Sequence, residues 1–397
     1  MITLAGADIV LPDRVLAGAS LRIQDGVIDD VVPRPYVPAD GQRVIDCSGH
    51  IIAPGFVDVH VHGVEGIDVL EGPDAVSRVA AKLPASGVTA FCPTSVACTP
   101  QRLTTFLAAV RVEQAAPPAR SARVLPAHLE SNFINPEWNG AQPLHCLRSY
   151  RLKGNRPEGD FAAHEILRVI LSHRGSVGIV TLAPEVPGGL DLVRHLVNAG
   201  HRVSLGHTGA TYEEARAAID AGARHATHLF NRMSSMTSRS PGVVGAVLES
   251  NLVAAEIICD GHHVHPSLVA LAVRTKSISR VIAITDATAA AGLPVGSRAR
   301  LGDQTIVAGE RTAVLDDGTL AGSVLTMDGA FRMLVGLGFT LWEAARMCAS
   351  TPSESLGLVH SGSIAAGHRA DLVVMDRNLR VKQTYIAGVA VLEPSPV

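Results

Sequence analysis

The sequence predicts a (β/α)8 barrel with a small β-sandwich domain formed by both chain termini. Three observations predict it. Both ends have the texture of short strands, the stretch 54–357 alternates strand-like and helix-like segments, and His, Glu and Asp recur where the apolar segments stop. Alternating β and α segments argue for a parallel sheet covered by helices, and eight such units argue for closure into a barrel.

The elements follow in chain order. Residues 1–53 carry short apolar segments (Ile2–Leu4, Ile9–Leu11, Leu21–Ile23, Val27–Ile28, Val44–Ile45) broken by turn pairs such as Asp25-Gly26. Residues 358–397 repeat that texture around Asp371–Asp376, Val381–Ile386 and Gly388–Leu392, so the two ends can pair around a central insert, 54–357. Eight strands are expected there: Phe56–His62, Val88–Pro93, Val124–Glu130, Val177–Leu182, Val203–His207, His225–His228, Ala254–Cys259 and Val281–Asp286. Helices between them are punctuated at their starts. Thr99-Pro100 reads as N-cap and first helical residue, Asp160 opens a helix that stops at Gly175, and Pro266 opens one running to Lys276. Thr211-Tyr-Glu-Glu214 and Thr340-Leu-Trp-Glu343 are capping boxes. A doubly wound open sheet is the alternative, and the missing G-x-G-x-x-G weakens it.

Composition removes several function classes. The chain has 397 residues, 47% hydrophobic and 18% charged, so it can bury a large core. A formal charge of −3 gives no footprint for nucleic acid. Six cysteines without a C-x-x-C pair suggest buried thiols in a reducing compartment. Met1–Leu11 contains Asp8 and lacks a basic segment, so it does not read as a signal peptide, and no apolar run reaches the ~18 residues of a membrane span. The expectation is a cytoplasmic protein without membrane or nucleic-acid partners.

The chemistry lies at the strand ends, the face where barrel active sites form. In Asp58-Val-His60-Val-His62, residues two apart share a face, so both imidazoles aim into the barrel mouth. Glu130 ends the third strand, with His128 two residues before it. His207 ends the fifth and His228 the sixth, while His225 lies lower on its strand. Asp286 follows the apolar run of the eighth, where a carboxylate needs a compensating partner. Each residue alone is ordinary; six on five strands, His60, His62, Glu130, His207, His228 and Asp286, point to a divalent metal, zinc first, with iron or manganese as alternatives. Asp286 then fits a catalytic base that takes a proton from water and returns it to a leaving amine, as in amide hydrolysis.

At this point the residues resemble a family. Val44-Ile-Asp46, Gly49-His-Ile-Ile-Ala-Pro54-Gly55-Phe-Val-Asp58-Val-His60-Val-His62 and Gly362-Ser-Ile-Ala-Ala-Gly367-His-Arg-Ala-Asp371 resemble the metal-dependent amidohydrolases. Thr181-Leu-Ala-Pro-Glu185, Gly206-His207-Thr, Thr227-His228-Leu-Phe-Asn231, Pro241-Gly-Val-Val-Gly245, Asp260-Gly-His-His263, Thr285-Asp286-Ala and Gly318-Thr-Leu-Ala-Gly322-Ser are similar to the N-acetylglucosamine-6-phosphate deacetylase family. The resemblance covers essentially the whole chain. It implies Glu130, His207 and His228 as principal ligands, a second metal at the H-x-H pair, and one or two metals per subunit. It also implies Asp286 as catalytic acid/base and an amino-sugar 6-phosphate held by Asn231, Arg232 and His263. Arg239 would reach the neighbouring site of a homodimer.

The chain departs from that family around the substrate. After the third strand it reads His128-Leu-Glu130-Ser131-Asn132-Phe133 in place of His-Leu-Glu-Gly-Pro-Phe, and Asn139-Gly-Ala-Gln142 in place of Lys-Gly-Ala-His. Gln142 is therefore expected at the acetyl group, where it can donate but cannot shuttle a proton, with His145 as the fallback. Asp286-Ala-Thr288 and Arg239-Ser-Pro-Gly242 also differ from the family's Asp-Ala-Met and Arg-Glu-Pro-Gly. N-acetylglucosamine 6-phosphate is the first substrate expectation; N-acetylgalactosamine 6-phosphate or an unphosphorylated amino sugar is the alternative. A non-catalytic binding relative is disfavoured by the retention of all six donors. The zinc nucleobase-deaminase signature is absent, though H-x-H alone leaves barrel deaminases open.

Overall fold

The computed structural model describes residues 1–33, 43–151 and 159–392. The eight expected strands form one parallel sheet: Phe56–Val61, Val88–Ser95, Ala127–Glu130, Val177–Leu182, Arg202–Leu205, His225–Ala226, Ala254–Ile258 and Val281–Ile284, each beside its successor. The barrel closes between the eighth strand and the first. Asp286 N–H donates to His60 C=O (3.0 Å) and His62 N–H to Ala287 C=O (2.8 Å), so the closing seam lies at the strand ends that carry candidate site residues. All six residues of the first strand and all eight of the second are buried, as strands covered on both faces require.

The helices begin where the local chemistry indicates. Thr99 Oγ1 accepts Arg102 N–H at the head of Pro100–Ala115, and Thr211 with Glu214 forms a reciprocal cap on Tyr212–Asp220. Thr340 with Glu343 does the same for Leu341–Ala345, and Pro266–Lys276 has the expected bounds. One start differs. The helix expected from Asp160 runs Ala163–Ser172, where Glu165 Oε1 accepts Ala162 N–H (2.8 Å), so the Glu at the third helical position sets the start.

The two ends of the chain share one sheet. Its path runs Val389–Ala390, Val381–Ile386, Leu372–Met375, Ile51–Pro54, Ile2–Val10, Val15–Gln24 and Val27–Val32, with Arg43–Asp46 beside Ile2–Val10. Leu372–Met375 lies antiparallel to Ile51–Pro54, the strand that leads directly into the barrel. This sheet has its own core, built from Leu4, Ile9, Leu21, Ile52, Leu372 and Val374 among others. After the eighth barrel strand comes an antiparallel sheet that the sequence reading does not include: Arg298–Leu301, Gln304–Ala308, Thr312–Leu315 and Leu320–Ser323. Ser323 N–H donates to Asp286 C=O (2.8 Å) and Ser323 Oγ to Thr285 C=O (2.6 Å), so this sheet is bonded to the closing seam. No helix among the described residues is long and apolar enough to cross a membrane.

Candidate metal centre

Six side chains converge inside the barrel mouth: His60, His62, Glu130, His207, His228 and Asp286, each at most 7% exposed. Three of them leave their strands through the left-handed region, His207 at φ 48°, His228 at 32° and Asp286 at 51°. That conformation is disfavoured for residues with a Cβ and concentrates at functional sites. Here it turns the chain out of each strand just where a side chain meets the pocket.

The six form two touching groups. In the first, His60 Nε2 lies 3.2 Å from His62 Nε2, and Asp286 Oδ1 lies 3.4 and 3.2 Å from those two nitrogens. In the second, Glu130 Oε1 lies 3.0 Å from His207 Nε2 and 2.9 Å from His228 Nε2, which are 3.1 Å apart. Glu130 also faces the first group, its Oε2 3.5 Å from His62 Nε2. Each group holds three ligand atoms within 4.8 Å of one another.

The outer ring nitrogens fix which atoms face inward. His62 Nδ1–H donates to Thr94 C=O (3.0 Å), His207 Nδ1–H to Trp138 C=O (2.8 Å) and His60 Nδ1–H to a Glu256 carboxylate oxygen (3.1 Å). With protons there, the neutral rings turn bare Nε2 lone pairs toward each other and toward two carboxylates. Lone pairs this close repel unless something positive lies among them. Protons or a cation satisfy the arrangement, and imidazole with carboxylate suits a divalent metal. The residues present therefore fit the metal expected from the sequence.

The charges agree. Burial disfavours a charged His62, but the Asp286 and Glu130 carboxylates outweigh it and lift its pKa to about 10. His228 is lifted to about 9 against burial, by Glu130 and then Asp286. Burial would raise both carboxyls; His207 and its neighbours hold Glu130 well below the usual range, and His60 and His62 hold Asp286 below it. The site is built to keep positive charge.

His128 is not part of this set. Its Nδ1–H donates to Val59 C=O (3.0 Å), and Thr181 O–H donates to its Nε2 (2.7 Å), since burial holds the ring neutral with a pKa near 4. Thr181 Oγ1 then accepts from Thr227, which accepts from Ser204, at 2.7 and 2.6 Å.

The pocket above the six donors is lined by Gln142, Asn231, Arg232, His263 and Gly322, among others. Gln142 is held at both ends of its amide: the oxygen accepts Ala97 N–H (2.7 Å) and the nitrogen donates to Glu130 Oε2. His263 Nδ1–H donates to Asp260 Oδ2 (2.6 Å), which leaves its other nitrogen to the pocket. Arg232 is exposed at the pocket wall, next to Gly140. Arg239 lies on the exposed stretch 235–241 and does not line the pocket of its own chain. His145, the fallback for Gln142, is exposed on the Leu144–Cys146 turn and stays outside the pocket.

Two residues escaped the sequence reading. Glu256 is fully buried behind His60. Its signal was a Glu in the middle of an otherwise apolar strand, Ala254–Ile258. Glu185, noted only within a motif, accepts from Thr208 Oγ1 (2.6 Å), Gly209 N–H (2.7 Å) and Asn135 Nδ2 (2.8 Å) and so ties down the turn after His207.

Comparison with known proteins shows what the whole chain is similar to. The amidohydrolase family model matches residues 51–391. An N-acetylgalactosamine-6-phosphate deacetylase of Escherichia coli O157:H7 is 36% identical over 93% of both chains. An N-acetylglucosamine-6-phosphate deacetylase of Lysinibacillus sphaericus is 34% identical over 92% of this chain and 91% of its own. Among solved structures, an N-acetyl-D-glucosamine-6-phosphate deacetylase variant of Mycobacterium smegmatis, in complex with N-acetyl-D-glucosamine-6-phosphate, superposes with a TM-score of 0.88 at 33% identity, covering 99% of each chain.

Proposed function

We propose a function from one premise: the chain belongs to the amidohydrolase family, and within it to the N-acetylglucosamine-6-phosphate deacetylases. The protein is a hydrolase of amide bonds. It removes the acetyl group of an N-acetylated amino-sugar 6-phosphate, N-acetylglucosamine 6-phosphate first, giving glucosamine 6-phosphate and acetate. The observation that carries this is the convergence of six buried donors beneath a pocket whose wall carries Asn231, Arg232 and His263.

Glu130, His207 and His228 would hold one divalent metal and His60 with His62 a second, zinc in our reading, with iron or manganese as the other metals this donor set suits. When bound, the metal acts as a Lewis acid toward the acetamide carbonyl and makes water a usable nucleophile at neutral pH. Asp286 accepts the proton of the attacking water on its carboxylate and delivers it to the departing amine nitrogen, so the sugar leaves as a neutral amine. Its depressed pKa keeps it ionised and ready as base. His263, oriented by Asp260, together with Asn231 and the Arg232 guanidinium, gives the phosphate a dense donor set. Gln142 braces Glu130, and its second amide N–H is the one left to reach the acetyl group. Arg239, exposed and outside its own pocket, completes the phosphate site of the partner subunit in a homodimer. The six cysteines, all free and buried, support a cytoplasmic location.

A second reading, N-acetylgalactosamine 6-phosphate, is favoured by one observation: the relative from Escherichia coli at 36% identity carries that name. Amine release by the zinc-loaded protein separates the readings, with N-acetylglucosamine 6-phosphate, N-acetylgalactosamine 6-phosphate and N-acetylglucosamine as substrates. The first should exceed the others in kcat/KM by at least ~100-fold, about 2.7 kcal/mol. A reversed order between the two phosphates selects the second reading. Equal turnover without phosphate removes the roles of Arg232, Arg239 and His263.

A further inference from the structure

Glu256 occupies the middle of the seventh barrel strand, and its side chain is completely buried. Strand alternation puts it on the same face as Ala254 and Ile258, which belong to the apolar core inside the barrel with Val57, Val59 and Ile282. A carboxylate in such a place costs several kcal/mol unless it is paired. Its partner is His60, whose Nδ1–H donates to Oε2 at 3.1 Å. Oε1 makes no hydrogen bond among the described residues, lying 3.8 Å from the nearest ring nitrogens of His128 and His225. His128 spends its Nδ1–H on Val59 C=O instead.

The four imidazoles of the two donor groups are thus backed differently. His62 and His207 lean on neutral backbone carbonyls, His228 Nδ1 has no partner among the described residues, and His60 alone leans on a carboxylate. A carboxylate behind an imidazole fixes the tautomer and makes the opposite nitrogen a stronger donor. The backbone of Glu256 plays a separate part: its C=O accepts Leu229 N–H (2.8 Å), next to His228. A side-chain substitution leaves that link in place.

We propose that Glu256 is a positioning residue that holds His60 with its Nε2 lone pair toward the pocket and thereby sets metal affinity at the His60–His62–Asp286 group, separately from the Glu130–His207–His228 group. The inference rests on the metal reading above. Its test is zinc binding, not turnover. Metal-stripped wild type, E256Q and E256L are titrated with zinc against a chromophoric chelator, with metal content by elemental analysis and folding by circular dichroism. Wild type should take up two equivalents. E256Q, which can still accept the Nδ1–H but lacks the charge, should bind one equivalent normally and the other ~10–100-fold more weakly. E256L should keep only one. If E256L does not fold, E256Q decides alone.

Two equivalents bound as in wild type by E256Q would overturn the proposal, and so would equal weakening of both equivalents, which marks a merely structural role. One equivalent in wild type would overturn it while leaving the deacetylase reading intact. No metal in wild type, with no amine release from any of the three sugars, would overturn both.

Discussion

Asp286 sits where three constraints meet: a left-handed backbone, a seam hydrogen bond to His60 C=O, and a carboxylate oxygen facing His60 and His62. Its conversion to Asn keeps the size and an oxygen for a metal but removes the proton acceptor. D286N should therefore keep the metal equivalent of the Glu130–His207–His228 group, read by elemental analysis, while kcat for amine release falls at least ~10²-fold. Turnover close to wild type would move the base elsewhere. His128 is a poor substitute, because both its ring nitrogens are engaged. A second residue gives a pH signature away from the pocket. His201 is buried, and burial lowers its pKa below the ordinary value; Val177 C=O accepts its Nδ1–H at 3.3 Å. The unfolded chain takes a proton on this histidine near pH ~6.5 while the folded chain resists it. Its contribution to stability is thus present above pH ~6.5 and is lost as the pH falls below it. The urea midpoint of H201L should drop less between pH 7 and pH 5 than that of the parent, and equal drops would assign the acid sensitivity elsewhere.

At the scale of elements, the strand ends were legible because two rules suffice. Residues two apart on a strand share a face, and barrel sites gather at the carboxyl ends, so His60, His62, Glu130, His207, His228 and Asp286 could be grouped without coordinates. Caps such as Thr99-Pro100 and Thr211-Glu214 were legible because a side chain bonds its own backbone three residues on. What escaped depends on distant partners. Glu256 is unremarkable until the first strand is laid opposite it, 196 residues away in sequence. The antiparallel sheet 298–323 escaped although its hairpin signals, Gly302-Asp303 and Asp317-Gly318, stand in the chain. Its role is tertiary: Gly322, at φ 64°, passes so close to the seam that a Cβ would stand 2.8 Å from Asp286 C=O and 2.6 Å from Thr288 Cγ2. G322A should therefore push this sheet off the seam and tilt Asp286. The strained φ alone costs about 1–2 kcal/mol, seen in the unfolding midpoint. Misplacement of the carboxylate should lower kcat by ~10-fold or more. A variant with normal kcat would show that Asp286 does not depend on this sheet.

At the scale of the whole molecule, the position of Arg239 poses the remaining question. Asn231, Arg232 and His263 line the pocket of their own chain and are the phosphate donors we propose, while Arg239 lies outside on an exposed stretch. If that guanidinium serves the partner's site, R239A should raise KM for the phosphorylated sugar ~10–100-fold, the share of one charge-assisted phosphate contact, with kcat little changed. That result alone does not tell which subunit supplies the residue. Mixed dimers do. A dimer of one R239A chain and one D286N chain contains one site with an intact Asp286 from the first chain and an intact Arg239 from the second, and one site lacking both. In a symmetric dimer, random exchange of equal amounts should restore wild-type KM at about a quarter of the sites, although neither parent has normal activity. Supply within the same chain predicts no restoration at any mixing ratio, because every site then carries one of the two defects. Recovery after mixing would establish at once that the protein is a dimer, that its phosphate site spans two subunits, and that substrate binds at full strength only where both chains contribute.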